Sequence, residues 1–237
     1  MELILVRHGQ PAWVTPDGRN TNDPELTALG HEQAKRVAAR LADTEDLPGR
    51  GDVDRLYVSP AIRAQQTAAP IRDALGIEAS THDWLVELQS PSAWEGAPIE
   101  EVQQAFATLG ADASAVVGRP PRRRVALAFH RHVTTGVRGL LADLGVVPTG
   151  DPGLWDLRGP AGDGSVDRIV AVAHGGTNSA IIAHLLGARP RTVGVGSLLD
   201  GATPRSRFWP PWRWPATTSG RCALGGANHL LVADRTS

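Results

Sequence analysis

Two apolar runs, each ending in a histidine and a glycine, constrain this chain more than any other feature. Near the start, Leu3-Ile4-Leu5-Val6 leads straight into Arg7-His8-Gly9-Gln10; far downstream, Arg168-Ile169-Val170-Ala171-Val172-Ala173 leads into His174-Gly175-Gly176. Unbroken apolar runs of this length fit strands covered on both faces, because a half-exposed strand alternates polar with apolar residues. In open α/β sheets, ligands sit beyond the carboxyl ends of the strands. Arg7, His8 and His174 are thereby expected at a rim where chemistry takes place. A lone Arg-His-Gly equally fits a strand that ends in two solvated residues; the repeat of the same grammar favours a shared site. Runs from opposite ends of the sequence must then converge, so one domain over residues 1–237 is expected.

The segments downstream of these runs point the same way. Thr177-Asn178-Ser179-Ala180-Ile181-Ile182-Ala183-His184-Leu185-Leu186-Gly187 has helical spacing of apolar residues and a glycine where a helix C-terminus belongs. His174 would lie between a strand end and a helix N-terminus, whose outward N–H groups make an anion site. A third strand, Arg55 to Ser59, is expected to pass into a helix with Pro60 as its first residue and Arg63 in its first turn, again facing the rim. In that helix, which runs to about Leu75, Ala64, Thr67, Ala68, Ile71 and Leu75 face inward, and Gln65, Gln66 and Arg72 face solvent. Upstream, Thr27 is a candidate N-cap for a helix reaching about Leu41, with Ala34, Val37, Ala38 and Leu41 as its apolar stripe.

Taken together, Arg7-His8-Gly9, Leu26-Thr27-Ala28-Leu29-Gly30, Ser59-Pro60 with Arg63-Ala64 and Gln66-Thr67-Ala68, Glu87 with Trp94-Glu95-Gly96, and His174-Gly175-Gly176 resemble the histidine phosphatase superfamily, the phosphoglycerate mutase-like family. They occur in the family's order over roughly residues 1 to 187. The resemblance implies an α/β fold, a three-layer αβα sandwich with a mostly parallel central sheet. It implies a metal-independent phosphatase acting on a small phosphate monoester through a phosphohistidine, with no cofactor. His8, Glu87 and His174 are the implied catalytic residues; Arg7, Arg63, His174 and Gly175 are the implied phosphate-binding ones. Spacing alone does not say which of His8 and His174 is nucleophile and which is clamp; the resemblance makes His8 the nucleophile and Glu87 the acid-base. On the residues alone, Glu87 also fits the solvent face of an alternating strand. Glu95 competes with it for the acid-base role, although the family match makes Glu95 a structural residue of its loop.

The chain departs from the family after Gln10, where Pro11 stands in place of a usual Thr or Ser. The Pro11–Pro24 segment has loop composition and is positioned to cover a substrate, with Asn20 or Asn22 as its candidate contacts. The remainder reads as a helix over Ile99 to Leu109, a basic linker at Pro120-Pro121-Arg122-Arg123-Arg124, an amphipathic helix from Val125 to Leu144 and a loop from Gly150 to Asp167. In the long helix, Leu127, Val133, Val137, Leu140, Leu141 and Leu144 are apolar, while His130 and His132 point to different faces and cannot share a metal. Residues 189–221 show neither helical nor strand periodicity and are atypical for the family, as a divergent lid or a reading-frame slip would be. His229 lies in a short apolar run that suits an edge strand.

Charge and cysteine content narrow the functional classes. A formal net charge of −1 gives no pull toward nucleic acid or a membrane surface, and three arginines in a near-neutral chain do not make a nucleic-acid patch. The single Cys222 excludes an internal disulfide and a cysteine-based zinc site. Without a long apolar run or a leader-like start, a soluble cytoplasmic protein is expected, its partner a small phosphorylated metabolite and its oligomeric state open. Two alternatives stand beside the phosphatase: mutase-type phosphoryl transfer to a second position, and a non-catalytic phosphate-binding protein.

Overall fold

A computed structural model describes residues 2–43, 52–111, 120–157, 168–188 and 229–231. Among these residues five strands form one sheet: β1 (Glu2–Arg7), β2 (Arg55–Val58), β3 (Ala79–Thr81), β6 (Arg168–Ala173) and β7 (His229–Leu231). Their spatial order is β3-β2-β6-β1-β7, and every neighbouring pair is parallel. The sheet is therefore the parallel one expected from its apolar strands, and among the described residues β7 forms an edge beside β1, as the His229 run suggests.

Covering both faces explains why those strands lack alternation. Leu3, Leu5, Ile169, Ala171 and Ala173 point to one side, where they pack with Phe129, Val133, Val137 and Leu141 of α4 (Pro120–Asp143), which follows α3 (Ile99–Ala111) in the chain, and with Ala180 and Ile181 of α5 (Gly175–Leu185). Ile4, Val6, Leu56, Val58, Val170 and Val172 point to the other, against Val37, Ala38 and Leu41 of α1 (Ala28–Ala42) and Ala64, Ala68 and Ile71 of α2 (Ile62–Leu75). The result is three layers, helix on sheet on helix, which is the expected architecture. Burying one Leu or Ile in such a layer stabilises by ~1.5–3 kcal/mol.

Several local expectations are corrected. Helix α2 begins at Ile62, with Pro60 outside it and Ala61 at the N-cap, where a methyl group accepts nothing. The Asp23 carboxylate serves instead, accepting from the Ile62 N–H at 3.0 Å. Gln65 and Gln66 are half-buried and bonded to backbone: Gln66 accepts from the Leu26 N–H at 2.6 Å, and Gln65 donates to the Ser59 carbonyl at 2.7 Å. The 120–124 stretch is not a linker but the start of α4; proline in a first turn loses no intrahelical bond there. Within α4, Leu127 is 37% exposed and Phe129 takes the core position. Part of the expected 150–167 loop is a strand, β5 (Trp155–Leu157), paired antiparallel with β4 (Val146–Pro148). The atypical 189–221 stretch lies outside the described residues. Among the described residues no helix is long and apolar enough to cross a membrane.

One helix start is as read: Thr27 caps α1 by accepting from the Gly30 N–H at 3.0 Å. Gly30 has a second role. A Cβ on it would sit 2.3 Å from the Gln10 carbonyl oxygen, and a Cβ on Gly9 would sit 2.4 Å from the Gly30 oxygen. The backbone just after His8 thus lies directly against the first turn of α1, an approach only a glycine pair allows. Gly30→Ala is expected to cost about 1–3 kcal/mol, the range for forcing extra volume into a closed contact. Urea unfolding measures this, and an unchanged midpoint would mean that the contact is loose.

Candidate active site

The register of the strands assembles the site. Arg7 is paired with Ala173 at the last position of the β1–β6 ladder, and the His8 N–H donates to the Ala173 carbonyl at 3.0 Å. The next residue on each strand is a histidine, and the two rings meet edge to face with centroids 5.1 Å apart. On the other side of β6, the Ser59 N–H donates to the Val172 carbonyl at 3.0 Å. The Ser59 hydroxyl is hydrogen-bonded to His174 Nε2 at 2.7 Å. His8, His174 and Ser59 are each the first residue past a strand. That shared position is the signal in the sequence that singles out Ser59, to which motif reading gives no role.

Both imidazoles are buried, His8 at 8% exposure and His174 at 0%. The His8 Nδ1 lies 2.7 Å from the Gly9 carbonyl. A carbonyl only accepts, so Nδ1 must carry the hydrogen and Nε2 the lone pair. Burial, opposed by that bond and reinforced by Arg63 and Arg7, holds the His8 pKa down at about 3. Burial, then His8, Arg63 and Arg7, holds His174 down at about 2. Both rings are therefore neutral at physiological pH.

The cations stand beside them. Arg63 is buried in α2, its Nη1 donating to Asp23 at 3.2 Å and its guanidinium lying 5.1 Å from the centre of the Trp13 ring. Arg7 is half-buried and packs against Gly175, where an added Cβ would touch its guanidinium at 3.6 Å. Arg63 Nε and His174 Nδ1 are buried and have no hydrogen-bond partner among the described residues. Orphaned polar atoms inside a folded chain call for a missing acceptor or donor. Glu87, half-buried after a 3₁₀ turn at Asp83–Leu85, is drawn to the same place rather than to a solvent-facing strand. Its Oε2 accepts from the Gly176 N–H at 2.8 Å, at the N-terminus of α5. The sequence reading gives that helix end to an anion, and a carboxylate occupies it.

Supporting bonds hold the first loop. The Thr67 hydroxyl accepts from the Gly9 N–H at 3.0 Å and donates to the Arg63 carbonyl at 2.7 Å. Gln33 accepts from the Gln10 N–H at 2.8 Å. Motif reading assigns neither to the site; a threonine on the apolar stripe of α2 and a glutamine buried in α1 are the available clues. The 11–24 loop leans on the 91–97 segment: Asn20 donates to the Trp94 carbonyl at 2.9 Å, and the Asn22 N–H donates to Glu95 at 2.6 Å. Asn20 and Glu95 are thereby structural. Between these segments a cleft of about 210 Å³ opens, with Trp13, Asn22, Asp23, Arg63, Glu87 and Leu88 on its wall. His8 and His174 are not on that wall, so the cleft and the imidazoles meet at Arg63 and Glu87. Among the described residues no three His, Cys, Asp or Glu side chains are grouped to hold a metal ion.

The family model described as histidine phosphatase superfamily, branch 1, matches residues 3–144. Phosphoserine phosphatase 1 of Hydrogenobacter thermophilus is 34% identical over 108 residues, 45% of this chain and 47% of the relative. A probable phosphoglycerate mutase of Yersinia enterocolitica is 33% identical over 103 residues, 43% of this chain and 44% of the relative. The chain thus spans about half the length of the curated relatives it matches. A mycobacterial glucosyl-3-phosphoglycerate phosphatase superposes with a TM-score of 0.54 at 22% identity, covering 81% of this chain and 80% of that one, a likeness of fold.

Two neutral buried imidazoles give the folded chain a defined pH response. In the unfolded chain each titrates near 6.5, so below that pH the unfolded state binds protons that the folded state refuses until about pH 3. Stability from these groups is full above about pH 6.5 and is lost progressively as the pH falls toward 3. Urea midpoints are expected to fall steeply between about pH 6 and pH 4, and the fall is expected to be shallower in His174→Asn by up to one proton's worth of slope. Equal slopes would show that His174 is charged in the folded state.

Proposed function

The chain belongs to the histidine phosphatase superfamily, branch 1, and on that premise we propose that it hydrolyses a small phosphate monoester by way of a phosphohistidine on His8. The observation that carries this reading is the convergence of two neutral imidazoles, centroids 5.1 Å apart, with the guanidiniums of Arg7 and Arg63. A monoester carries about two negative charges that must be balanced before a nucleophile can approach phosphorus. Guanidinium forks match phosphate oxygens two at a time. The orphaned Arg63 Nε and His174 Nδ1 gain partners if a phosphoryl group is bound there.

The reaction then has two displacements. The His8 Nε2 lone pair forms a bond to phosphorus as the bond to the ester oxygen breaks, and Glu87 gives its proton to the departing alkoxide. Next, Glu87 as carboxylate takes a proton from water, the water oxygen bonds to phosphorus, and the phosphorus–nitrogen bond breaks to return the His8 lone pair. Glu87 suits this role because the Gly176 N–H holds its Oε2 at 2.8 Å, beside the helix end that faces the phosphoryl site. Ser59 fixes the His174 ring. Charge balance comes from the two arginines, so the reading requires no metal.

Full-length protein is expected to release inorganic phosphate from simple monoesters, unchanged by a chelator, and to form an acid-labile phosphoenzyme on rapid quenching. His8→Ala is expected to abolish both, and Glu87→Gln to lower kcat by roughly 10²–10⁴, the usual size of a general acid-base contribution. Phosphoenzyme retained in His8→Ala would overturn the nucleophile assignment. Phosphate that is bound by the native chain but never released from an ester would leave only a binding protein.

A further inference from the structure

The cleft in front of Arg63 is where the alcohol part of a bound monoester would lie, and its charges are lopsided. Its wall carries two acidic side chains, Asp23 and Glu87, and one cation, Arg63; on the proposed reaction Glu87 holds a proton when an ester is bound, which leaves Asp23 as the standing negative charge. On the phosphatase reading Arg63 is committed to the phosphoryl group, and its Nη1 is already bonded to Asp23 at 3.2 Å. The wall segment from 83 to 105 contains no lysine or arginine. Arg19, in the facing loop, is tied elsewhere: its Nη1 donates to the Gly96 carbonyl at 2.7 Å, and its Nε pairs with Asp17 at 3.3 Å. An alcohol bearing its own carboxylate would meet the Asp23 carboxylate with no spare cation among the described side chains of the wall. Like charges facing each other in a partly exposed cleft repel, which weakens binding by roughly tenfold.

Apolar surface, by contrast, is plentiful there. Trp13 is 39% exposed and Leu88 37% exposed, and both face this cleft with Val86 beside them. Bare tryptophan and leucine at a cleft mouth are the material of a ligand platform. Asn22 adds an amide.

The geometry points to a substrate whose alcohol is uncharged or cationic and carries an apolar face, with Trp13 as the platform it packs on and Asp23 as the group that turns away carboxylate-bearing alcohols. This inference rests on the proposed phosphatase reading for where the phosphoryl group binds. It sets this cleft against phosphorylated sugar acids, and hence against the mutase alternative.

Three esters with different alcohols test it: phenyl phosphate, phosphoethanolamine and 3-phosphoglycerate. Their kcat/KM values are measured on the native full-length chain, and their dissociation constants on full-length His8→Ala by calorimetry. Phenyl phosphate and phosphoethanolamine are expected to bind at least about tenfold more tightly than 3-phosphoglycerate, and to lead in kcat/KM by a similar factor, the size of one such repulsion. Adding Asp23→Asn is expected to bring 3-phosphoglycerate to within about threefold of the others, since an amide keeps the bonds to Ile62 and Arg63 but loses the charge. Trp13→Ala is expected to weaken phenyl phosphate about tenfold and phosphoethanolamine by much less, with Trp13→Phe restoring most of the difference. Equal treatment of all three esters by the native chain overturns the cleft assignment and leaves the phosphatase reading standing. No turnover of any ester, with the expected order of binding to His8→Ala, sinks the phosphatase reading and supports the cleft assignment. Failure of all three to bind overturns the cleft assignment.

Discussion

Everything at the site depends on the register of β1 against β6. In a parallel pair the side-chain period is two, so a slip of one residue would send the core face of β1 to the opposite layer and carry His8 away from His174. The register is specified from both ends. At one end Glu2 and Arg168 face each other in the ladder, and their side chains form a buried ion pair at 2.8 Å. At the other, the His8 N–H reaches the Ala173 carbonyl and the Gly9–Gly30 contact presses the chain against α1. Between them, Leu3 and Leu5 fit one helical layer and Ile4 and Val6 the other. The apolar pattern thus fixes where the two imidazoles emerge.

The electrostatics derive from burial. Two imidazoles, two guanidiniums and a carboxylate in a confined space would repel or neutralise one another without a definite arrangement. The structure resolves this by keeping both rings neutral and leaving the net positive charge on the arginines. Arg63 is the costliest of these groups because it is buried; Asp23, Glu87 and the face of Trp13 oppose that cost. The same Asp23 oxygen serves the N-terminus of α2, so the residue that steadies Arg63 also fixes the helix that carries it. Glu87 plays a corresponding part at α5 through the Gly176 N–H. Positioning of the charged groups is thereby built into the ends of helices and strands, which are stiffer than loops.

Much of this is legible in the residues. The uniform apolar runs reveal a parallel sheet covered on both faces, and their shared His-Gly endings reveal the rim. Thr27 signals a helix start because its side chain acts within its own turn. What escapes reading is long-range. Asp23 caps a helix that begins at Ile62, Gln66 holds the Leu26 backbone, and Thr67 holds Gly9, all across distances in sequence that no local period encodes. Pro60 looks like a helix start because local rules place proline there, but the remote carboxylate decides the boundary. The arginine run at 122–124 looks like a linker because charge masks helical period; among the residues of this helix whose side chains are described, Phe129 is the first that is buried. Ser59 escapes notice because a serine after a strand is ordinary until its neighbours on the adjoining strands are known to be histidines.

On the proposed reaction, His8 and His174 jointly face a single phosphoryl group, with Arg7 and Arg63 turned toward it. A crystal structure of the full-length chain with inorganic phosphate bound tests this most directly. One phosphate is expected within hydrogen-bond distance of His8 Nε2, a His174 ring nitrogen and both guanidiniums. Phosphate bound elsewhere, or held by the arginines with the two imidazoles turned apart, would contradict it.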